Sequence, residues 1–189
     1  MVGIKKLPLG TTLFENFILK NKIYVDKTDL IAKLTEFDDC PIFLSRPRRF
    51  GKSTLVNTFE ELFSHGLEKF KGLKIDTQNL WAETKTYEVI HLDFSFFKET
   101  TKNHNFERDL LKHLDTKFKT TKLKIDPDND VIYSLSRTLE DVANRSLVLL
   151  IDEYDAPLTT VIDDKEEFQE RRAVLSNFFL NYQRLLRKV

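Results

Sequence analysis

Two short motifs in this chain combine side chains that could do chemistry on a phosphate group. The first, at residues 41–54, reads PIFLSRPRRFGKST, and the second, at residues 147–157, reads LVLLIDEYDAP. Gly51, Lys52 and Ser53 match the second half of the phosphate-binding loop pattern G-x-x-x-x-G-K-[ST]. Arg46 stands where that pattern has its first glycine. The elements around the motifs decide what these residues can do.

The first motif has the residue types that a phosphate site needs. Backbone N–H groups at a helix N-terminus point at phosphate oxygens, and Gly51 allows a close approach. Lys52 would reach the terminal phosphates as a point charge, and the Ser53 hydroxyl would bind Mg²⁺. The alternative is a basic strand, turn and helix without a ligand. That alternative is disfavoured because residues 46–52 hold four mutually repelling cations.

The second motif is an apolar strand that ends in two carboxylates, Asp152 and Glu153. In phosphate-loop enzymes, a carboxylate at this strand end holds the water shell of Mg²⁺. A glutamate that follows it can polarise the attacking water as a general base. We therefore expect Asp152 at the metal and Glu153 as the base. The competing interpretation is an acidic strand end that only caps the next element.

Hydrophobic spacing predicts the elements that carry the motifs. Strands are expected at 22–25, 41–44, 87–94 and 147–151. Helices are expected from Asp26 or Thr28 to about Phe37, and at 51–64, 105–119, 131–143 and 166–188. Strands that alternate with helices indicate an α/β fold with a parallel sheet covered on both faces. Ligands of such sheets bind at the carboxyl ends of the strands, where both motifs fall.

Composition narrows the class of protein. The chain has 189 residues, 30 basic and 30 acidic side chains, 41% hydrophobic residues and one cysteine. These values favour a packed domain without disulfides. The sequence shows no signal-type segment and no apolar run of the roughly 20 residues that span a bilayer, so we expect a soluble cytoplasmic protein with no membrane partner. The zero net charge conceals a basic segment at 45–52 and an acidic one at 151–170.

Four motifs in order make the chain recognisable: YVDKT at 24–28, SRPRRFGKS at 45–53, HLDFS at 91–95 and LIDEYDAP at 150–157. Together they resemble the bacterial predicted AAA-ATPase-like family over about residues 7–189. Members of that family commonly carry a PD-(D/E)xK nuclease-like domain at the C-terminus. The family normally has arginine where a first glycine is expected, so Arg46 fits its own form of the loop.

The resemblance implies a three-layer α/β/α phosphate-loop NTPase core with a parallel sheet, here without its fourth and fifth strands. It divides the chain into an N-terminal extension at 1–38 and the first part of the ATPase domain at 39–189. It implies ATP and Mg²⁺ as cofactors, Glu153 and Lys52 as catalytic residues, and Ser53 and Asp152 as metal ligands. It places the nucleotide against one loop and one upstream residue: Arg46, Pro47, Arg48, Arg49, Phe50, Gly51, Lys52, Ser53, Thr54 and Tyr24.

Further expectations stay open at the level of sequence. Hydrolysis is expected of the complete family domain and is left open for this chain, as is assembly into a homo-oligomer. A nucleic-acid partner would bind through a nuclease-like region that the chain lacks. One alternative is an inactive remnant or interaction module. Another is a nucleic-acid-binding module that uses the Arg46–Arg49 cluster. Asp93 is either a contact to the metal's water shell or a cap of its strand.

Overall fold

The chain divides into two units, Met1–Val89 and Ile90–Val189. The computed structural model describes residues 5–36, 41–47, 49–82, 86–99, 105–118 and 147–186. Helices and a small parallel sheet occur together, so the protein is an α/β protein, as predicted. The boundary expected between an extension and an ATPase core, at 38/39, stays a prediction.

Helices make up most of the regular structure described in the first unit. Its elements are α1 (Phe14–Leu19), α2 (Thr28–Leu34), α3 (Lys52–His65), a 3₁₀ helix at Glu68–Phe70 and α4 (Lys74–Thr77). Its core joins side chains from all five: Phe14, Ile31, Ala32, Leu62, Phe70 and Ile75. Phe14 and Phe70 stack with their ring centroids 4.3 Å apart. This core is the base on which α3 rests.

The helix α3 forms where the sequence predicts it. Leu55, Phe59 and Leu62 recur at the helical spacing and pack into the core of the first unit. Gly51 precedes the helix, and Gly66 ends it with a φ of 64° and an N–H that donates to the Leu62 carbonyl at 2.8 Å. A residue with a positive φ at this end is most easily a glycine. The helix therefore has a defined start directly after the candidate phosphate loop.

Asp26 and Thr28 tie the start of α2 to the start of α4. Asp26 accepts hydrogen bonds from the Thr28 N–H and hydroxyl at one carboxylate oxygen and from the Lys74 N–H, at 2.8 Å, at the other. The buried Thr28 hydroxyl in turn accepts from the Ile75 N–H at 3.0 Å. Burial alone would raise the pKa of Asp26, but these hydrogen bonds outweigh it and lower the pKa. The motif YVDKT thus has a structural role in this unit.

Replacing Thr28 with Val is expected to destabilise the protein by about 1–3 kcal/mol, because the buried Ile75 N–H loses its acceptor while the side-chain volume is kept. Urea unfolding would measure the loss. Thr12→Val is the matched control, since Thr12 is exposed in a loop before α1. Equal midpoints for the two variants would contradict the role assigned to Thr28.

The second unit is built on two strands. Its elements are β1 (Glu88–Asp93), whose first two residues precede the division, a 3₁₀ helix at Phe94–Glu99, α5 (Phe106–Phe118), β2 (Leu147–Asp152), α6 (Ala156–Thr159) and α7 (Lys165–Leu186). β1 and β2 are parallel neighbours, so Asp93 and Asp152 end their strands at the same edge. The helices α5 and α7 contact each other. The core joins both to the sheet: Ile90, Leu92, Phe94, Phe97, Phe106, Leu110, Leu114, Leu175 and Phe178.

Two predicted strands are wrong. Residues 22–25 form only an isolated parallel bridge between Lys22 and Lys6, and residues 41–44 form no regular element. Ile42 and Phe43 are 51% and 66% exposed, where a buried strand was expected. A strand is held by hydrogen bonds to a neighbour, and in the described residues such a ladder joins β1 with β2 alone. Apolar composition without a ladder partner does not make a strand.

The other predicted elements were close. The strands at β1 and β2 and the helices at α3, α5 and α7 are confirmed within a few residues. The helix predicted up to Phe37 ends at Leu34. The helix predicted at 131–143 lies outside the described residues. In the part of the chain that the structure describes, no helix has the length and apolarity that crossing a membrane requires.

Candidate functional site

In the first unit, the lysine of the candidate phosphate loop folds back over the loop that precedes it. Lys52 Nζ donates to the backbone carbonyls of Arg46 at 2.8 Å and Pro47 at 3.1 Å. Arg46, Pro47, Arg49 and Phe50 are exposed, while Arg48 lies outside the described residues. The ammonium group therefore sits where the loop backbone turns around it. That position leaves the charge accessible to an anion.

The backbone of this loop is left-handed at two positions. Arg49 has a φ of 66° and Gly51 a φ of 78°. A Cβ on Gly51 would meet no atom within 4 Å, so the backbone conformation, and not space, calls for glycine there. A left-handed arginine costs on the order of 1–3 kcal/mol and persists where its surroundings over-determine it. Such strain collects at functional sites, which supports the choice of this loop.

The loop leads directly into the N-terminus of α3. The first hydrogen bond of the helix runs from the Leu55 N–H to the Gly51 carbonyl at 2.9 Å. The N–H groups of Lys52, Ser53 and Thr54 therefore come before the first hydrogen bond of the helix and take no part in its internal hydrogen bonding. Together with the positive end of the helix dipole, they form a region that favours an anion.

Tyr24, predicted to contact the nucleotide, lies half-buried against the core of the first unit. Its ring meets Phe14 and Phe17 edge-on, with centroids 5.2 and 5.6 Å away. Burial raises the pKa of Tyr24, the hydrogen bond with Thr58 lowers it, and the charge of Asp26 raises it further, so that the net shift is upward. The hydroxyl is thus a neutral group next to the middle of α3. Its contact to a nucleotide stays a prediction.

In the second unit, the acidic residues follow the two strands. Asp152 ends β2 and is 8% exposed, and its Oδ1 accepts the Glu153 N–H at 3.0 Å. Asp93 ends β1 and accepts the Ser95 N–H at 2.8 Å, which is the geometry of a strand-end cap. Within the described ranges, no three His, Cys, Asp or Glu side chains gather as a metal-binding group. Asp152 is therefore the carboxylate most enclosed by the protein at this edge.

Glu153 has an unusual backbone and a partner that the sequence analysis did not identify. Its φ is 50°, the left-handed region again. Among the described residues, the non-glycine positions with positive φ are Asn21, Asn79, Arg49 and Glu153. Asparagine tolerates this region, so the two costly cases fall one in each motif. The Glu153 carboxylate forms an ion pair with Lys98, which lies in the 3₁₀ helix after β1.

The turn after β2 is anchored from a second side. The Ala156 N–H donates to the Glu153 carbonyl at 2.9 Å and closes the turn. Pro157, in α6, is buried, and its carbonyl accepts a hydrogen bond from Arg171 Nη1 at 3.2 Å. Arg171 was also missed by the sequence analysis. Its position four residues before Leu175 and seven before the apolar Phe178, on the buried side of α7, is the signal that could have identified it.

Two further groups near this edge have shifted pKa values. Burial raises the pKa of Tyr154, and the neighbouring charge of Asp155 adds to that. His113 packs between Phe96 and Phe97, and burial, with the charge of Lys117, lowers its pKa against the opposite effect of Asp93. The two pKa shifts therefore favour the neutral forms of Tyr154 and His113 near pH 7, and the acidic and basic side chains at this edge are Asp93, Lys98, Asp152, Glu153 and Asp155.

The structure brings together some of the predicted residues. Lys52, Arg46 and Pro47 meet in the first unit, and Asp152 and Glu153 are adjacent in the second with Lys98 beside them. Ser53 and Asp152, the predicted metal ligands, belong to different units. A shared Mg²⁺ site for these two stays a prediction.

The elements described above define an α/β protein with a basic loop at a helix start and an acidic turn after a strand. The chain belongs to the predicted AAA-ATPase family, whose model matches residues 8–188. It is similar to an uncharacterized protein in the vnfD 5′ region of Azotobacter chroococcum mcd 1, with 28% identity over 180 residues. That match covers 93% of this chain and 34% of the relative, so the chain spans about a third of its length. No solved structure matches the chain.

Proposed function

We propose that this chain binds ATP together with Mg²⁺ and forms part of an ATPase. The observation that carries the proposal is the loop before α3, where Lys52 Nζ lies 2.8 Å from the Arg46 carbonyl and left-handed Arg49 and Gly51 turn the backbone. Membership of the predicted AAA-ATPase family supports it. The finer assignment, a three-layer phosphate-loop core, is part of the same proposal.

The residues at the loop fit a triphosphate. Three backbone N–H groups at the start of α3 precede the helical ladder, and Lys52, Arg46 and Arg49 supply positive charge next to them. A triphosphate would draw Lys52 Nζ away from the carbonyls that it now contacts. Because those carbonyls are exposed, water would replace the ammonium group at little cost.

The donors proposed for Mg²⁺ also suit the ion. Mg²⁺ prefers oxygen ligands and keeps several of its waters, so one hydroxyl from Ser53 and a carboxylate from Asp152 would suffice. The bound ion would neutralise charge that develops on the phosphates. Asp152 is partly pre-arranged, because its Oδ1 already accepts the Glu153 N–H and its orientation is thereby restricted.

Glu153 is the proposed general base. As an ionised carboxylate it could take a proton from the attacking water, which typically contributes a factor of about 10²–10⁴ to the rate. In the structure the Glu153 carboxylate forms an ion pair with Lys98. Lys98 would therefore have to release the carboxylate, or share it with the water, for hydrolysis to occur.

We extend the proposal to a nucleic-acid partner, which a nuclease-like region would bind, as the resemblance implies.

A titration of the wild-type chain with a fluorescent ATP analogue, with Mg²⁺ and with EDTA, tests the proposal. We expect saturable binding that unlabelled ATP reverses and that is weaker in EDTA. Absence of saturable binding would refute it. A duplex DNA titration over a series of salt concentrations separates the alternative function of the Arg46–Arg49 cluster. Salt-sensitive DNA binding that ATP does not displace would favour that alternative.

A further inference from the structure

The buried charge of Arg171 stands out in the second unit. Arg171 lies on α7 and its side chain is 1% exposed. Its Nε donates to Glu167 Oε1 at 2.8 Å, and its Nη1 donates to the Pro157 carbonyl at 3.2 Å. The guanidinium carbon also lies 5.3 Å from the ring centroid of Phe106 on α5. One side chain thus connects α5, α6 and α7.

Stability alone does not account for an arginine at this place. Its neighbours on the buried side of α7, Leu175 and Phe178, are apolar and belong to the core. Taking a guanidinium out of water is costly, and well-packed apolar residues often replace a buried ion pair without loss of stability. What an apolar side chain cannot do is donate a directed hydrogen bond to a backbone carbonyl. The contact with Pro157 is therefore the property that distinguishes arginine here.

That contact reaches the acidic turn in two steps. Pro157 lies in α6, which begins at Ala156, directly after the turn. The Ala156 N–H donates to the Glu153 carbonyl at 2.9 Å, so a displacement of α6 would be transmitted to Glu153. Glu153 has a left-handed backbone, which persists only where the surroundings hold it. Arg171, which follows the turn in the sequence, supplies such a hold from α7. Lys98, which precedes the turn, supplies another.

We propose that Arg171 is a positioning residue that acts through Pro157 to hold the turn presenting Asp152 and Glu153. Glu167 in turn orients the guanidinium, because its carboxylate accepts from Nε and leaves Nη1 directed at the carbonyl. The roles of Asp152 at the metal and of Glu153 as the base rest on the proposed function. The positioning itself is a property of the second unit and can be measured without any nucleotide.

Hydrogen–deuterium exchange of the whole chain, with the peptide that covers 153–161 as the readout, tests the positioning. In Arg171→Lys the charge stays, but an ammonium group cannot make the two directed contacts of the guanidinium. We expect exchange in 153–161 to accelerate about tenfold, with β2 and α5 unchanged. Arg172→Lys, at the exposed next position of α7, is the matched control and should leave exchange unaltered. Unchanged exchange in Arg171→Lys, or equal acceleration throughout the unit, would overturn the proposal.

Arg171→Met covers the case in which the lysine variant does not fold. Methionine fills the site with an unbranched apolar side chain but leaves the Glu167 carboxylate and the Pro157 carbonyl without their donor, so we expect a folded protein with a lower thermal midpoint than wild type and with exchange that is still faster in 153–161. Wild-type exchange in this variant would overturn the proposal, because the hydrogen bond to Pro157 would then be dispensable for the turn.

Nucleotide titration separates this inference from the proposed function. If the wild-type chain binds ATP, Arg171→Lys should weaken binding about tenfold with Mg²⁺ and leave binding in EDTA unchanged, since Lys52 and its loop are untouched. Equal weakening in both buffers would count against positioning. If the wild-type chain binds no nucleotide, the proposed function fails, and hydrogen exchange still decides the role of Arg171.

Discussion

Replacing Lys52 with alanine is expected to weaken ATP binding by roughly a hundredfold. Among the described residues, Lys52 Nζ donates hydrogen bonds to the exposed backbone carbonyls of Arg46 and Pro47, so its charge is available to a ligand. Hydrogen bonds to a charged partner contribute about 3 kcal/mol at the upper end, which corresponds to roughly a hundredfold in affinity. Titration of the variant with a fluorescent ATP analogue in Mg²⁺ would measure the loss.

The folded state of this variant should be nearly unaffected. The contacts that Lys52 makes are exposed, and water can replace them, so the free energy of unfolding should change by no more than about 0.5 kcal/mol. Lys33→Ala, at an exposed position on α2 in the same unit, is the matched control and should bind ATP as wild type does. Retained affinity in Lys52→Ala, or an equal loss in Lys33→Ala, would rule out the assigned phosphate contact.

Local sequence patterns were sufficient to predict α3 and β2. Apolar spacing at Leu55, Phe59 and Leu62 with Gly66 behind them defined α3, and an unbroken apolar run defined β2. The run at 41–44 looked equally like a buried strand. A strand also needs a hydrogen-bonding neighbour, and no local pattern reports whether the chain supplies one. The strand predicted there failed for that reason.

The candidate site likewise combines residues that the sequence predicts with contacts that no local pattern reports. Residue types predict Lys52, Asp152 and Glu153 as site residues, because the chemistry requires a cation and two carboxylates after particular elements, and their roles stay predictions. The contact between Lys98 and Glu153 joins residues 55 positions apart and has no spacing signature. The left-handed backbone at Glu153 was equally hidden, since glutamate does not favour that region. Tertiary contacts decide these features, and the sequence shows only their participants.

Replacing Glu153 with glutamine is expected to abolish hydrolysis while ATP binding persists. Glutamine keeps the size and shape of the side chain, but its amide cannot act as a general base. Loss of a general base lowers the rate by a factor of about 10²–10⁴. Single-turnover phosphate release and nucleotide affinity, both measured on the intact protein, would give the two quantities. Glu166→Gln, at an exposed position at the start of α7, is the matched control. An unchanged rate, or a loss of affinity as large as the loss of rate, would contradict the assignment.

The ion pair with Lys98 makes this assignment sharper. Lys98→Met removes the ion-pair partner of the Glu153 carboxylate. If Lys98 acts by holding Glu153, any change in the hydrolysis rate of this variant must depend on Glu153. In the double variant Lys98→Met with Glu153→Gln, the charge that Lys98 pairs with is already gone, and removing Lys98 should then have no further effect on the rate. A double-mutant cycle measures this coupling directly. Additive effects of the two substitutions would mean that Lys98 acts on the nucleotide independently, and that the pair is a surface contact without a role in the reaction.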